Sequence, residues 1–393
     1  MKILFVTPAY APAWTFGGVV SASHRLLREM ALQGVDITVY TTDAGLPRDD
    51  EGARTGFRMM DGVKVHYFRC VLTNPIVSGA LVKAARKTIG EFDLMHLAAV
   101  FQPVSIGVTR AAIEAGCPYV LAPHGSLDAW PRRRRRFKKV LYYLLFERSI
   151  IAHAAGFIAT SETECDGLSR FLKRDQKVRT IPNGVSFQLW RRDPEGGRQW
   201  RREVGIPDES YLYLSVGRLH YKKGLELLIR ALAPLKGRNW RLAFVGDDED
   251  GTKVKLLRHA RDCGVWEQIS FHPTVSERHL PAIYSAGNLF VLPSYHENFG
   301  NVVLEALSCG CPVLISDQVA IYKQLNGIHG VVVRKRELSL WSEALENALT
   351  GGTDFITTAS DGLELEMRFS ASNCAAMTTD FYNHVIARCR CSR

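Results

Sequence analysis

Four side chains in the second half of the sequence have the types and spacing to handle a charged, hydroxyl-rich substrate. Two are the carboxylates that bracket Glu297-Asn298-Phe299-Gly300-Asn301-Val302-Val303-Leu304-Glu305. An apolar stretch ending at Pro293 precedes this segment, and a helix ending at Gly310 follows the glycine turn. Glu297 falls in the turn, and Glu305 sits on the helix. The backbone N–H groups from Phe299 to Val302 belong to that helix's first turn, where no intrahelical acceptor exists. One carboxylate can address the hydroxyls of one sugar and the other those of a second. The plainer alternative is that Glu305 decorates a solvated helix face. The other two side chains are cations, in Gly217-Arg218-Leu219 followed by Lys223-Gly224. They too lie between a buried strand and a helix. Arg offers a two-pronged fork and Lys a mobile point charge, which together suit a diphosphate. The alternative is a pair of solvated loop charges.

Two weaker features lie in the first half. His124, in Pro123-His124-Gly125-Ser126-Leu127-Asp128-Ala129-Trp130, follows a strand and can donate to a hydroxyl or a phosphate oxygen. A lone His of this kind is more often structural. Gly17-Gly18 follows the first strand and allows close backbone approach to a ligand. It lacks the GxGxxG spacing, which argues against a dinucleotide fingerprint and an NAD enzyme.

The elements that must position these residues read as strands alternating with helices. Lys2–Val6 is a continuous apolar run, as expected of a strand buried on both faces. A Gly17-Gly18 loop, a helix over Ser23–Gln33 closed by Gly34, and a strand over Val35–Thr41 complete one βαβ unit. Strands follow at Val63–Phe68, Leu94–Leu97, Tyr119–Ala122 and Phe157–Thr160, with a helix over Pro103–Ala115 and another from Ser161, and Arg179–Ile181 leads into Pro182-Asn183-Gly184. The segment Trp190–Gly205 is dense in Arg, Pro and Gly and poor in apolar periodicity, and reads as an interdomain linker. The pattern then restarts with strands at Tyr211–Val216, Arg241–Val245, Leu289–Pro293, Val313–Ser316 and Val331–Val333, and a helix over Leu225–Leu232. The expectation is an α/β protein of two Rossmann-like doubly wound domains, residues 1–188 and 210–369, joined by a linker at 189–209. A tail helix, 370–393, packs back on the first. Ligands of such sheets bind at the carboxyl ends of the strands, so two facing domains imply an interdomain cleft.

Bulk composition agrees with this. The chain has 393 residues, 46% hydrophobic and 23% charged, which excludes a disordered, collagen-like or disulfide-stapled chain. The nine cysteines are scattered, with no CxxC and no zinc spacing, and read as thiols of a reducing compartment. Met1–Pro8 does not make a signal peptide, and no run reaches the roughly 18 apolar residues of a spanning helix.

Taken in order, these motifs resemble the retaining glycosyltransferases of family four, which have the GT-B fold. The likeness spans nearly the whole chain. It rests on the Glu-x7-Glu pair Glu297 and Glu305, on Gly217-Arg218…Lys223-Gly224, and on Pro293-Ser294…Glu297-Asn298-Phe299-Gly300. Pro123-His124-Gly125…Trp130 and Pro182-Asn183-Gly184-Val185 add to it. The resemblance implies a donor that is a nucleotide sugar, linked through UDP or GDP, and an acceptor that is a saccharide or lipid-linked. Arg218 and Lys223 then neutralise the departing diphosphate, Glu305 holds the ribose hydroxyls, and Glu297, with His124, contacts the donor sugar. Backbone amides of Phe299, Gly300 and Asn301 hold sugar or phosphate oxygens, Asn298 and Gly17 also belong to the donor site, and Gly18 lets the first-domain loop close over the phosphates. No cofactor and no metal are expected; Asp247-Asp248-Glu249-Asp250 reads as a solvated loop and not a metal site. The chain departs from the family at Leu97-Ala98-Ala99-Val100, where members often carry aromatic or His residues that contact the acceptor.

The net charge is +10, and seven cations are concentrated in Arg132, Arg133, Arg134, Arg135, Arg136, Lys138 and Lys139. The apolar run Val140–Phe146 follows. The pair reads as an amphipathic element at an anionic membrane surface, where each basic residue contributes about 1 kcal/mol, or else as a charged turn before a core helix. The expected location is the cytoplasm, at the inner face of the plasma membrane. A nucleic-acid-binding protein is the rival class, disfavoured because aromatic residues are not interleaved with the charge. A non-catalytic relative that binds nucleotide sugars is the other alternative.

Overall fold

A computed structural model describes residues 1–46, 55–98, 100, 102–126, 146–170, 172 and 176–391. The chain divides into two compact units. Met1–Gly184 and Ala371–Arg393 form the first, and Val185–Ser370 form the second.

The first unit is built on one sheet. Its strands are β1 (Lys2–Val6), β2 (Asp36–Thr42), β3 (Gly56–Met60) and β4 (Val63–Phe68), a short hairpin β5 (Leu72–Thr73) and β6 (Ile76–Val77) lying apart, then β7 (Leu94–Leu97), β8 (Tyr119–Leu121), β9 (Gly156–Ala159) and β10 (Val178–Thr180). Among the described residues the sheet order is β10-β9-β8-β7-β1-β2-β4-β3. All neighbours are parallel except β3 and β4. Successive side chains of a strand face opposite ways, and both faces are covered. Ile3 and Phe5 join one core with the helix Gly18–Leu32 and the tail helix Ala371–Cys391. Leu4 and Val6 join the other, with the helices Gly79–Thr88, Pro103–Ala115 and Arg148–His153.

The first helix starts at Gly18, five residues before the Ser23 read from the sequence. Val20 and Ala22 are buried and extend its apolar face. The β-branched pair Val19-Val20 masks this start in a propensity reading. Gly17-Gly18 is therefore not a loop: Gly17, at φ +81°, precedes the helix and Gly18 opens it.

The second unit holds β11 (Tyr211–Val216), β12 (Trp240–Val245), β13 (Ile269–His272), β14 (Leu289–Leu292), β15 (Val313–Ser316) and β16 (Val331–Arg334). They are all parallel, in the order β13-β12-β11-β14-β15-β16. This is the doubly wound Rossmann order. Its direction reverses between β11 and β14, and that reversal opens a ligand crevice at the carboxyl ends of the two strands.

Residues 189–209, read from the sequence as a linker, are part of this second unit. Trp190 is fully buried, and Pro194–Glu203 is a helix. Asp193 caps it by accepting from the Gly196 N–H at 3.0 Å, and Pro194 occupies the first turn. The helix has little apolar surface because it packs through backbone and one cation. A Cβ on Gly197 would lie 2.9 Å from the Ala286 nitrogen. The buried Arg201 donates to the carbonyls of Ala286 and Ser210 and to Asn288 Oδ1 at 2.6–2.9 Å.

The tail helix completes the first core. Phe381, Tyr382 and Val385 are buried there, and a Cβ on Gly156 of β9 would meet the Phe381 ring at 2.8 Å. Phe381→Ala is expected to destabilise the first unit by about 3–5 kcal/mol, read from its chemical denaturation midpoint. An unchanged midpoint would show that the tail contributes nothing to that core.

Candidate functional site

The loops that leave β11 and β14 meet because the two strands are neighbours. Tyr221–Lys223 forms one 3-10 turn of the first loop, closed by Gly224 at φ +60°. Its Lys223 Nζ lies 2.6 Å from Glu297 Oε1 of the second loop, with both side chains about a fifth exposed. The loops are also joined through backbone, where the Tyr295 N–H donates to the Lys222 carbonyl at 2.8 Å. Ser294 Oγ donates to Glu297 Oε1 at 3.0 Å, and Ser316 Oγ fixes the Ser294 carbonyl at 2.7 Å. Glu297's own backbone is paired, its N–H to the Gln318 carbonyl and its carbonyl to the Ala320 N–H. Burial pushes the Glu297 carboxyl up; the charge and hydrogen bond of Lys223, the Ser294 hydroxyl and His296 outweigh it, so the group sits below the usual glutamate range.

Past Glu297, Phe299 is buried, and Gly300 turns the chain at φ +97° into the helix Asn301–Ser308. A Cβ at Gly300 would meet Val319 at 2.6 Å, so both the backbone angle and the close approach require glycine. Asn298 is half-buried, and Asn301 opens the helix, whose positive end faces the turn.

Glu305 does not decorate a solvated face. It is 8% exposed and accepts from the Tyr284 hydroxyl at 3.1 Å. Burial, then the Glu305 charge, drives the Tyr284 hydroxyl pKa far up, so it stays a donor. Trp190 packs edge-on against Tyr284 at 5.9 Å, so the segment 189–209 backs the partner of Glu305.

Arg218 is more open. Its Nη1 lies 2.7 Å from Glu249 Oε1, and both side chains are about half exposed, a geometry of small net stability. The acidic run Asp247–Asp250 is exposed, as expected of a solvated loop, and is tied to this loop by hydrogen bonds. The Leu219 N–H donates to the Asp247 carbonyl at 2.8 Å, and the Tyr221 N–H to Asp250 at 3.2 Å. A side chain at Gly246 would collide with the Gly217 carbonyl. Among the described residues no group of three or more His, Cys, Asp or Glu is placed to hold a metal ion.

In the first unit, Gly17 and Gly18 lie after β1 at a helix N-terminus, and His124 lies after β8. His124 has φ +48°, uncommon for a residue with a side chain. Burial holds its imidazole down at about 4, and its Nδ1 is buried with no hydrogen-bond partner among the described residues. Burial and then His124 hold His96 down at about 3, and the Tyr382 hydroxyl of the tail helix pairs with His96 Nδ1. The cationic run Arg132–Lys139 lies outside the described residues.

Sequence reasoning missed three supports of these sites. Glu164, buried, accepts from the Gly125 N–H, the Thr160 N–H at 2.7 Å and the Thr160 hydroxyl at 2.8 Å, which ties down the His124 turn. Burial raises its pKa, against the pull of those hydrogen bonds. The Ser161-x-x-Glu164 capping-box pattern was its available signal. Ser294 stood in the Pro293-Ser294…Glu297 run without a role of its own, and Tyr284 had no signal, because it acts through tertiary contact.

Two Rossmann-like α/β units, the second with a Lys–Glu pair at its switch point, fit the GT-B class of glycosyltransferases. Comparison with known proteins places it more closely. The family described as "Glycosyl transferase 4-like domain" matches residues 17–184, and "Glycosyl transferases group 1" matches residues 197–357. The chain belongs to the family-four glycosyltransferases. Among similar proteins, the D-inositol 3-phosphate glycosyltransferase of Salinispora arenicola is 26% identical over 94% of this chain and 88% of its own. That of Actinosynnema mirum is 27% identical over 80% of each. Among solved structures, Anabaena HepE in complex with UDP and glucose has a TM-score of 0.76 at 19% identity, covering 98% of this chain and 99% of that one. The sucrose-phosphate synthase of Thermosynechococcus elongatus gives the same values.

Removing the Glu305 carboxylate takes away the acceptor of a fully buried hydroxyl. Glu305→Ala is expected to cost about 1–3 kcal/mol in urea denaturation, and Glu305→Gln, which keeps an acceptor, clearly less. Equal losses in both variants would contradict the Tyr284 contact.

Proposed function

We propose that the protein is a retaining hexosyltransferase. It moves a sugar from a UDP- or GDP-linked donor to a hydroxyl of a saccharide or lipid-linked acceptor, in bacterial surface polysaccharide or glycolipid synthesis. The observation that carries this reading is the Lys223–Glu297 pair at the switch point, where a half-buried cation and a fixed carboxylate stand side by side. Binding of UDP and UDP-glucose by HepE supports a uridine diphosphate donor, and the names of the sequence relatives support a polar, hydroxylated acceptor.

The chemistry follows from where charge develops. Breaking the bond between sugar and phosphate leaves negative charge on the diphosphate and positive charge on the sugar. Lys223 and Arg218 take up the first, which gives two side chains the task a metal ion performs elsewhere. Arg218 leaves its exposed contact with Glu249 to do so, at little cost. Glu297, kept ionised by its surroundings, accepts from donor-sugar hydroxyls, and Glu305 accepts from the ribose. The amides of Phe299, Gly300 and Asn301 add the helix's positive end. His124, neutral at pH 7 because it is buried, acts as a hydrogen-bond partner and not as a cation. Gly17 and Gly18, at the start of the helix Gly18–Leu32, offer backbone without side chains to the donor phosphates. Retention is assigned to front-face attack in which the leaving phosphate takes the acceptor proton, so no general base is named. The Arg132–Lys139 run meets an anionic membrane surface or the phosphate of a lipid-linked acceptor, on the cytoplasmic side. No helix among the described residues is long and apolar enough to cross a membrane.

A nucleoside diphosphate that binds only the folded protein raises its melting temperature by mass action. UDP or GDP is expected to stabilise the wild type in a thermal-shift screen, Glu305→Ala less, and Lys223→Ala is expected to abolish sugar transfer while remaining folded. Full transfer by Lys223→Ala would contradict the proposed role of the pair.

A further inference from the structure

Arg336 has no part in the chemistry above, yet it reaches the same corner of the second unit. It lies just beyond β16, three strands along the sheet from β11. Its guanidinium carbon stacks 3.6 Å above the centre of the Tyr295 ring. Its Nη2 lies 3.6 Å from Glu226 Oε1, and the Tyr295 hydroxyl donates to that same oxygen at 2.9 Å. The side chain is 14% exposed, and Nη1 is buried with no hydrogen-bond partner among the described residues. An ideal Cβ on Gly224 would lie 2.4 Å from that Nη1 and 2.7 Å from the Pro293 carbonyl oxygen. The guanidinium thus presses against the backbone of the residue that follows Lys223.

We propose that Arg336 is a positioning residue, which clamps the loop carrying Lys223 to the loop carrying Glu297 through its stack on Tyr295 and its contact with Gly224. Three segments meet in the clamp. Glu226 opens the helix Glu226–Leu232 directly after the first loop. Tyr295 belongs to the second loop, and its N–H already holds the Lys222 carbonyl. Arg336 covers one face of the ring and ties both to a third strand end. Burying a guanidinium with an unsatisfied N–H is costly, and an apolar side chain would fill the space without that cost. A planar cation does what an apolar group cannot, since it stacks on the ring and pairs with Glu226 at once. The clamp fixes backbone on either side of Lys223 and Glu297. A misplacement of about 1 Å in a charge that stabilises a leaving group can cost about a hundredfold in rate. The rate consequence rests on the proposed transferase reading; the clamp itself does not.

The test uses Arg336→Met and Arg336→Lys in the full chain, with Tyr295→Leu and Tyr295→Phe approaching the stack from its other, half-exposed side. The first readout is the Glu297 carboxyl titration by 13C NMR of glutamate-labelled protein, assigned with Glu297→Gln. The groups facing that carboxyl are Lys223, Ser294 and His296, with Lys222 acting on His296. Arg336→Met and Tyr295→Leu are expected to shift the titration upward as Lys223 loses its fixed place, and Tyr295→Phe, which keeps the ring, to leave it nearly unmoved. The second readout is turnover: kcat is expected to fall about tenfold or more in Arg336→Met while the UDP dissociation constant changes less than about threefold. A folded Arg336→Met and Tyr295→Leu with the wild-type Glu297 titration would overturn the proposal. Should Arg336→Met fail to fold, Tyr295→Leu decides by the same titration. If the wild type transfers no sugar, the transferase reading fails, and the titration still decides the clamp.

Discussion

The structure of the second unit converges on one ion pair, Lys223 Nζ to Glu297 Oε1 at 2.6 Å. Two partly desolvated charges repay their loss of water only when the geometry is good and their remaining valences are filled. Much of the surrounding structure meets that condition. The sheet order puts β11 beside β14, so the two loops leave the same end of adjacent strands. Gly224 and Gly300 turn each loop at backbone angles that side chains resist. Ser294 fills a second valence of the carboxylate, and Ser316 fixes Ser294 in turn. The result is a carboxylate held ionised and a cation held near it, both with an edge toward solvent.

The first unit solves a different problem, that of keeping an imidazole neutral. Its His124 is half-buried, with the Nδ1 atom buried, at a turn of positive φ, and the turn is held by Glu164 through the Gly125 N–H and the Thr160 N–H and hydroxyl. Behind it His96 is also buried and neutral, and it is paired with Tyr382 from the far end of the chain. The C-terminal helix is thus part of the support of that strand end as well as of the core.

The residues of the Lys–Glu corner were legible in the sequence because strand-end loops carry their own signatures. Arg218, Lys223, Glu297 and Gly300 all sit between an apolar run and a helix start. The central strands were legible for a related reason: buried parallel strands such as β11 and β15 are uninterrupted apolar runs. What was not legible depended on contacts between distant segments. The helix Pro194–Glu203 buries glycines and an arginine where a periodicity reading looks for leucines, so it read as a linker. The edge strand Ile269–His272 is only half-buried and carries a weak pattern. Arg336, Tyr284 and Glu164 are ordinary residues in the sequence and gain meaning only from the partner each one meets.

The account stands or falls on whether the two strand-end loops are energetically joined through Lys223 and Glu297. A double-mutant cycle on unfolding free energy, with Lys223→Met, Glu297→Gln and the double variant, measures that coupling directly. The account predicts that each single variant is more destabilised than the double variant's loss would imply, with a coupling of about 1 kcal/mol or more. Losses that add within about 0.5 kcal/mol would contradict it.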